Sequence, residues 1–140
     1  MKDFKNKVVV ITGAASGMGR SYALMFARLG SKIAICDYDE KGLRETGKMV
    51  MELADVPVYA EKLDVSDKAG VYAFAQAVKA ELGNAHVIIN NAGVSGEGRP
   101  VWALSDDSYE RVMGINFWGV VHGTRAFLPQ LLANGEGAVV

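Results

Sequence analysis

The chain has 140 residues, half of them hydrophobic and 22% charged, with a formal net charge of −1. That composition fits one globular domain with a real core and offers no basic surface to nucleic acid, and no apolar run approaches the roughly 20 residues of a membrane helix. The polar start MKDFKNK lacks a signal-type apolar core, so a cytoplasmic location is expected, and the single Cys36, inside the run Ile33 to Cys36, reads as a buried small residue rather than a nucleophile or ligand.

Val8 to Ile11 form an apolar run that enters Thr12-Gly13 and a loop of small residues, the pattern of a buried parallel strand ending in a tight turn. A helix is predicted behind the loop, with an apolar stripe at Met18, Tyr22, Met25, Phe26 and Leu29 and an end at Gly30. The first turn of such a helix has unpaired N–H groups and the positive end of the helix dipole, which makes it a seat for a diphosphate. Gly13 serves the turn, Gly17 lets backbone approach the ligand, and Gly19 lets the helix pack tightly on the strand. The spacing G-x-x-x-G-x-G differs from G-x-G-x-x-G and from the phosphate loop of nucleoside triphosphate hydrolases, whose lysine has no counterpart here.

The second strand, KIAICD, ends on Asp37, eighteen residues after Gly19. A carboxylate there can accept both hydrogen bonds of an adenosine ribose diol and would repel a 2′-phosphate. With no basic residue at Tyr38 or Ser16, NAD is expected over NADP. The alternative is that Asp37 merely opens the next helix, with Asp39 as its cap. That helix is predicted from Asp39 to Ala54, followed by Pro57 and the strand VYAEKLDV, closed by Asp64. Asp64 and Val65 then share the crest at the carboxyl ends of the strands with Asp37 and the glycine turn, although Asp64, Ser66 and Asp67 would also suit a helix start. The next helix, Lys68 to Leu82, shows its apolar face at Val71, Phe74, Ala75, Val78 and Leu82 and stops at Gly83.

The strand HVIIN leads into Asn90-Asn91-Ala92-Gly93, where side-chain amides can tie strand ends together and Gly93 leaves room for a flat ligand ring. His86 and His122 have no second ligand at zinc-like spacing, so no metal site is expected. Val94 to Ala103 reads as a flexible connection. Ser105, Asp106 and Asp107 then start a long helix with a stripe at Tyr109, Val112, Met113, Asn116, Val120, Phe127, Leu128 and Leu131. On that stripe Asn116 reads as a buried amide, either bonded to backbone in the core or placed in an active site. Pro129 is expected to kink or shorten the helix end, and after GEG a fifth strand begins at Ala138 to Val140.

TGAASGMG (Thr12 to Gly19), Asp37, Asp64-Val65, NNAG (Asn90 to Gly93) and the long helix with Asn116 resemble, in order and spacing, the cofactor-binding half of a short-chain dehydrogenase/reductase over all 140 residues. The resemblance implies an α/β Rossmann-type doubly wound parallel sheet of strand order 3-2-1-4-5, truncated at the fifth strand, with residues 1–140 forming one NAD(P)-binding domain. It implies that Gly13, Ser16, Gly17, Met18 and Gly19 hold the diphosphate and adenosine side of NAD, with Asp37 on the ribose diol. Asp64 would accept from the adenine amino group, Val65 would meet adenine through its backbone, and Asn91, Ala92 and Gly93 would line the wall toward the nicotinamide. Asn116 resembles the asparagine of the family's Asn-Ser-Tyr-Lys tetrad, which holds a water that links the lysine to bulk solvent.

The tetrad's serine and Tyr-x-x-x-Lys fall after the fifth strand in that family. None of Tyr22, Tyr38, Tyr59, Tyr72 and Tyr109 has a lysine four residues on, so this chain alone is expected to bind cofactor without completing the reaction. The implied function is NAD-dependent hydride transfer with a small alcohol or ketone substrate. A non-catalytic NAD-binding module is the alternative, and a methyltransferase, which also pairs a glycine turn with an acid ending the second strand, is a weaker third. A longer parent chain is expected to be a homo-oligomer, and this polypeptide by itself to self-associate through an apolar edge at Ala138 to Val140 and an uncovered helix face.

Overall fold

The first strand, β1 (Val8–Thr12), is buried at every residue and lies between two parallel neighbours, β2 (Lys32–Asp37) and β4 (Val87–Ile89). The computed structural model describes residues 3–140. Beyond β2 lies β3 (Val58–Lys62), and beyond β4 lies β5 (Ala138–Val139), which gives a five-stranded parallel sheet of order β3-β2-β1-β4-β5, the expected one. Helices α1 (Gly17–Arg28), α2 (Glu40–Leu53), α3 (Lys68–Leu82), α4 (Asp106–Met113) and α5 (Gly119–Ala133) make the crossovers.

Strand alternation sorts the side chains into two cores. Val8 and Val10 of β1 point toward α3 and α5, where Phe74 and Phe127 are fully buried with ring centroids 5.9 Å apart in an edge-to-face arrangement. Val9 and Ile11 point the other way, toward Phe26 of α1 and Leu43 and Val50 of α2. Both faces of β1 are therefore covered, which is why its sequence is a continuous apolar run.

The stripe predicted for α1 is partly overturned. Met18, Met25 and Leu29 are exposed, and the face on the sheet is Gly19, Ala23, Phe26 and Ala27. Small residues let the helix axis approach the strands closely, so the large apolar side chains are turned outward. Its end is as expected, with Gly30 in the left-handed region at φ 77°. In α2, Asp39 is the cap and accepts from the Lys41 and Gly42 amides. Strand β3 stops at Lys62, so Asp64 lies two residues past it rather than closing it; the Leu63 amide donates to the Asp37 carbonyl and carries the chain onto the crest.

Three further expectations change on the C-terminal side. The connection after Gly93 contains a 3₁₀ turn at Val101–Ala103, held by the Tyr109 hydroxyl donating to the Val101 carbonyl at 2.9 Å. The long helix is interrupted by a π-turn at Gly114–Trp118, which adds a residue to the turn and rotates the helix beyond it. Asn116, within that turn, is exposed rather than buried; of the predicted stripe Tyr109 and Met113 ahead of the turn and Val120 and Leu128 beyond it are exposed too, while Phe127 and Leu131 are buried. Pro129 sits inside α5, which runs on to Ala133; on this exposed side of the helix the missing N–H is tolerated.

Candidate functional site

Strand order reverses at β1, whose crossovers leave toward β2 on one side and reach β4 on the other. The carboxyl ends of β1 and β4 therefore diverge into a crevice, the place where open α/β sheets bind ligands. Here it is a cleft of about 370 Å³. Of the predicted site residues, all but Gly19 and Asn116 line it, and Tyr38, Leu63, Val94 and Ile115 join them.

The floor is the glycine loop. Gly13 has φ 67°, and a Cβ on it would stand 2.7 Å from the Ala92 Cα, so both conformation and space require glycine. Gly17, at φ 54°, has nothing within 4 Å of its would-be Cβ and opens onto the cleft. Ser16, the residue before α1, makes no capping bond, whereas Asp39 and Ser105 cap α2 and α4 with their side chains. The first-turn amides of α1 thus keep their donor capacity for a ligand. Gly19 is buried beneath this surface, packed on the Gly13 carbonyl and the Asn91 side chain.

Polar bonds tie the strand ends together. The Asn91 amide nitrogen Nδ2 donates to the Thr12 and Gly13 carbonyls, both at 3.0 Å, while the Thr12 hydroxyl accepts from the Asn91 and Ala92 backbone amides, also at 3.0 Å. The carboxylate of Asp37 accepts from the Ala15 amide on one oxygen and the Asp39 amide on the other, each at 2.9 Å. Asp37 therefore orients the loop and also takes the Asp39 amide at the entry to α2, where Asp39 is the cap that the alternative reading named. Asp64 accepts from the backbone and hydroxyl of Ser66. The Val65 carbonyl meets His122 Nδ1 at 3.2 Å, with the imidazole stacked on Trp118. At the far end, Asn116 accepts from the Val94 amide at 2.9 Å and donates to its carbonyl at 2.8 Å, and its Oδ1 lies 3.5 Å from a would-be Cβ on Gly93. The Asn116 amide is thus bonded to backbone, at a solvent-exposed position beside the cleft and not in the core.

Burial, reinforced by Asp37 and Glu61, pushes the Cys36 thiol well up, which disfavours its thiolate. Tyr59, bonded to Glu61 and partly buried, is pushed up to about 12. Among the described residues no group of three His, Cys, Asp or Glu could hold a metal ion, and no helix is long and apolar enough to cross a membrane.

Sequence reasoning missed Tyr38, which forms the rim between Asp37 and Asp64 with Lys62 Nζ 5.6 Å from its ring centroid. Its place directly after the strand-ending acid was the available signal. It also missed Thr12, Leu63, Val94 and Ile115, whose neighbours in the sequence were singled out.

A family model described as short chain dehydrogenase matches residues 7–140. Epidermal retinol dehydrogenase 2 of Homo sapiens is 40% identical over 139 residues, which are 99% of this chain and 45% of that protein. A short chain dehydrogenase/reductase from Burkholderia phymatum, solved in complex with NAD, superimposes with a TM-score of 0.94 at 40% identity over 99% of this chain and 49% of that one. L-Sorbose reductase from Gluconobacter frateurii, solved with NADPH and L-sorbose, gives 0.92 at 29% identity over 98% of this chain and 52% of that one. The chain spans about half the length of these relatives.

Proposed function

Because the chain belongs to the short-chain dehydrogenase family, we propose that it is the cofactor-binding part of an NAD-dependent oxidoreductase acting on a small alcohol or ketone. The observation that carries this reading is the pairing, in one cleft, of uncapped α1 amides with a carboxylate at the end of β2. NAD, when bound, supplies the nicotinamide that takes or gives the hydride. The amides of Gly17 and Met18, with the α1 dipole behind them, would hold the diphosphate. Asp37 is held by Ala15 and Asp39 so that each oxygen keeps further acceptor capacity for a ribose hydroxyl, and its charge disfavours a 2′-phosphate. Asp64, fixed by Ser66, and the Val65 backbone would meet the adenine; Asn91, Ala92 and Gly93 would flank the sugar and nicotinamide end. Asn116 would serve the catalytic end by fixing the Val94 peptide beside Gly93. A cytoplasmic homo-oligomer fits the buried free thiol of Cys36 and the exposed Met113, Phe117, Trp118 and Val120 along the α4 to α5 face.

The neighbours were solved with NAD in one case and NADPH in another, so the Asp37 carboxylate is the point to test. Titrations followed by NADH fluorescence should show NADH preferred over NADPH, and Asp37→Ala should weaken NADH about 10- to 100-fold by removing two charge-assisted bonds while narrowing that preference. A folded wild-type chain that binds no NADH would overturn the reading.

A further inference from the structure

Behind the diphosphate loop, on the side away from the cleft, lies a polar tie that joins the loop and the start of α1 to the middle of α2, distant in sequence. Thr46, in the middle of α2, is fully buried, and its hydroxyl donates to the Ala14 carbonyl at 2.8 Å. The same hydroxyl accepts from Arg20 Nε at 2.9 Å. The other arm of the Arg20 guanidinium donates to the Ala15 carbonyl and, at 3.3 Å, to the Gly42 carbonyl. Arg20 stands on α1, one turn behind the loop, and neither Arg20 nor Thr46 lines the cleft.

The tie has an electrostatic meaning. A carbonyl dipole turned toward a bound diphosphate would oppose it, and a short loop holds carbonyls as well as amides. Here the two carbonyls of Ala14 and Ala15 are both claimed from behind, by a hydroxyl and a guanidinium, while the Ala14 and Ala15 amides are claimed by the Cys36 carbonyl and the Asp37 carboxylate. What remains to face the cleft is the run of amides opening α1. Arg20 also brings a cation within a turn of the anion's seat without touching it, its exposed side balanced by Glu45 at 3.4 Å.

We infer that Arg20 and Thr46 are positioning residues for the diphosphate, acting through the Ala14 and Ala15 carbonyls to keep the loop's negative dipole ends turned away from the ligand. The inference rests on the NAD reading of the cleft and goes beyond it by assigning affinity to two residues outside it. Its signature is selectivity: the loss should fall on ligands that carry the diphosphate and spare those that lack it.

The experiment measures NADH by fluorescence, with ADP and adenosine as competitors, on the wild-type chain and on Thr46→Val, Thr46→Ser and Arg20→Lys, each checked for a cooperative thermal transition. Thr46→Val keeps the shape but leaves the Ala14 carbonyl and Arg20 Nε unpaired, and should weaken NADH and ADP about tenfold while adenosine stays within about twofold. Thr46→Ser restores the hydroxyl and should recover affinity to within about threefold. Arg20→Lys keeps the charge but cannot bond Thr46 and Ala15 together, and should reproduce the selective loss; should Thr46→Val not fold, this variant decides alone. Unchanged ADP affinity in the folded variants, or an equal loss for adenosine and ADP, overturns the inference while leaving the NAD reading intact. A folded wild type that binds neither NADH nor ADP overturns both.

Discussion

On helix propensity alone, Gly19→Ala in the first turns of α1 should stabilise the protein by roughly 1 kcal/mol, because alanine is the better helix former. The surroundings reverse that sign. A Cβ at Gly19 would stand 2.1 Å from the Gly13 carbonyl oxygen and 2.7 Å from Asn91 Nδ2. Carbon and oxygen do not approach closer than about 3.2 Å, so α1 or the loop must retreat by about 1 Å, and overpacking of this kind costs about 1 to 3 kcal/mol. A backbone carbonyl cannot swing aside as a side chain can, which argues for the upper end. Set against the propensity gain, the net loss should be about 2 kcal/mol. Gly47 provides the matched control: it too lies inside a helix, but its would-be Cβ has nothing within 4 Å. Gly47→Ala should therefore stabilise by about 0.5 to 1 kcal/mol. Denaturant midpoints of both variants, read by circular dichroism, make the comparison. A Gly19→Ala protein as stable as the wild type, or a Gly47→Ala protein that loses stability, would refute the steric reasoning.

Asn116→Ala removes both bonds to the Val94 peptide and should cost about 1 to 2 kcal/mol, with faster hydrogen exchange at the Val94 amide as its local mark. Unchanged exchange there would show that the bonds are not what holds the loop. His86 accepts the Val8 amide on a neutral Nδ1 at 3.2 Å, and burial together with Lys7 lowers its pKa. The unfolded chain takes up a proton near the ordinary value of about 6.5 while the folded chain resists, so stability should be complete above that value and fall as pH drops below it. His86→Gln should flatten this decline between about pH 7.5 and 5.5 in denaturant midpoints; an unaltered slope would assign the titration to another group.

The fold was legible where single strands and single turns carry their own signals. The apolar run of β1, the glycine turn, the caps at Asp39 and Ser105 and the helix-ending glycines are all local, and the order of β-α units then leaves few parallel topologies. Side-chain facing was less legible, for two reasons. Hydropathy ranks Met25 and Leu29 above Ala23 and Ala27, yet closeness of approach favours the alanines, and the large residues turn outward. Periodicity marks an apolar stripe but not whether anything covers it: Tyr109 and Met113 are already exposed ahead of the π-turn at Gly114–Trp118 that holds Asn116. At the site, residues ending strands could be placed because the strands deliver them to one crest. Arg20 and Thr46 could not, since hydrogen bonds between residues 26 apart leave no pattern in a single sequence.

The two backbone bonds of Asp37 have a consequence for redesign. Trading the acid that ends the second strand for a neutral or basic group, to change which dinucleotide is accepted, would treat it as a recognition element alone. Here the same carboxylate pins the Ala15 and Asp39 amides, so the exchange would also release the glycine loop and the entry to α2. A successful switch would have to supply new anchors for both amides, for instance a side-chain amide or hydroxyl able to reach them, before any basic partner for the extra phosphate is added.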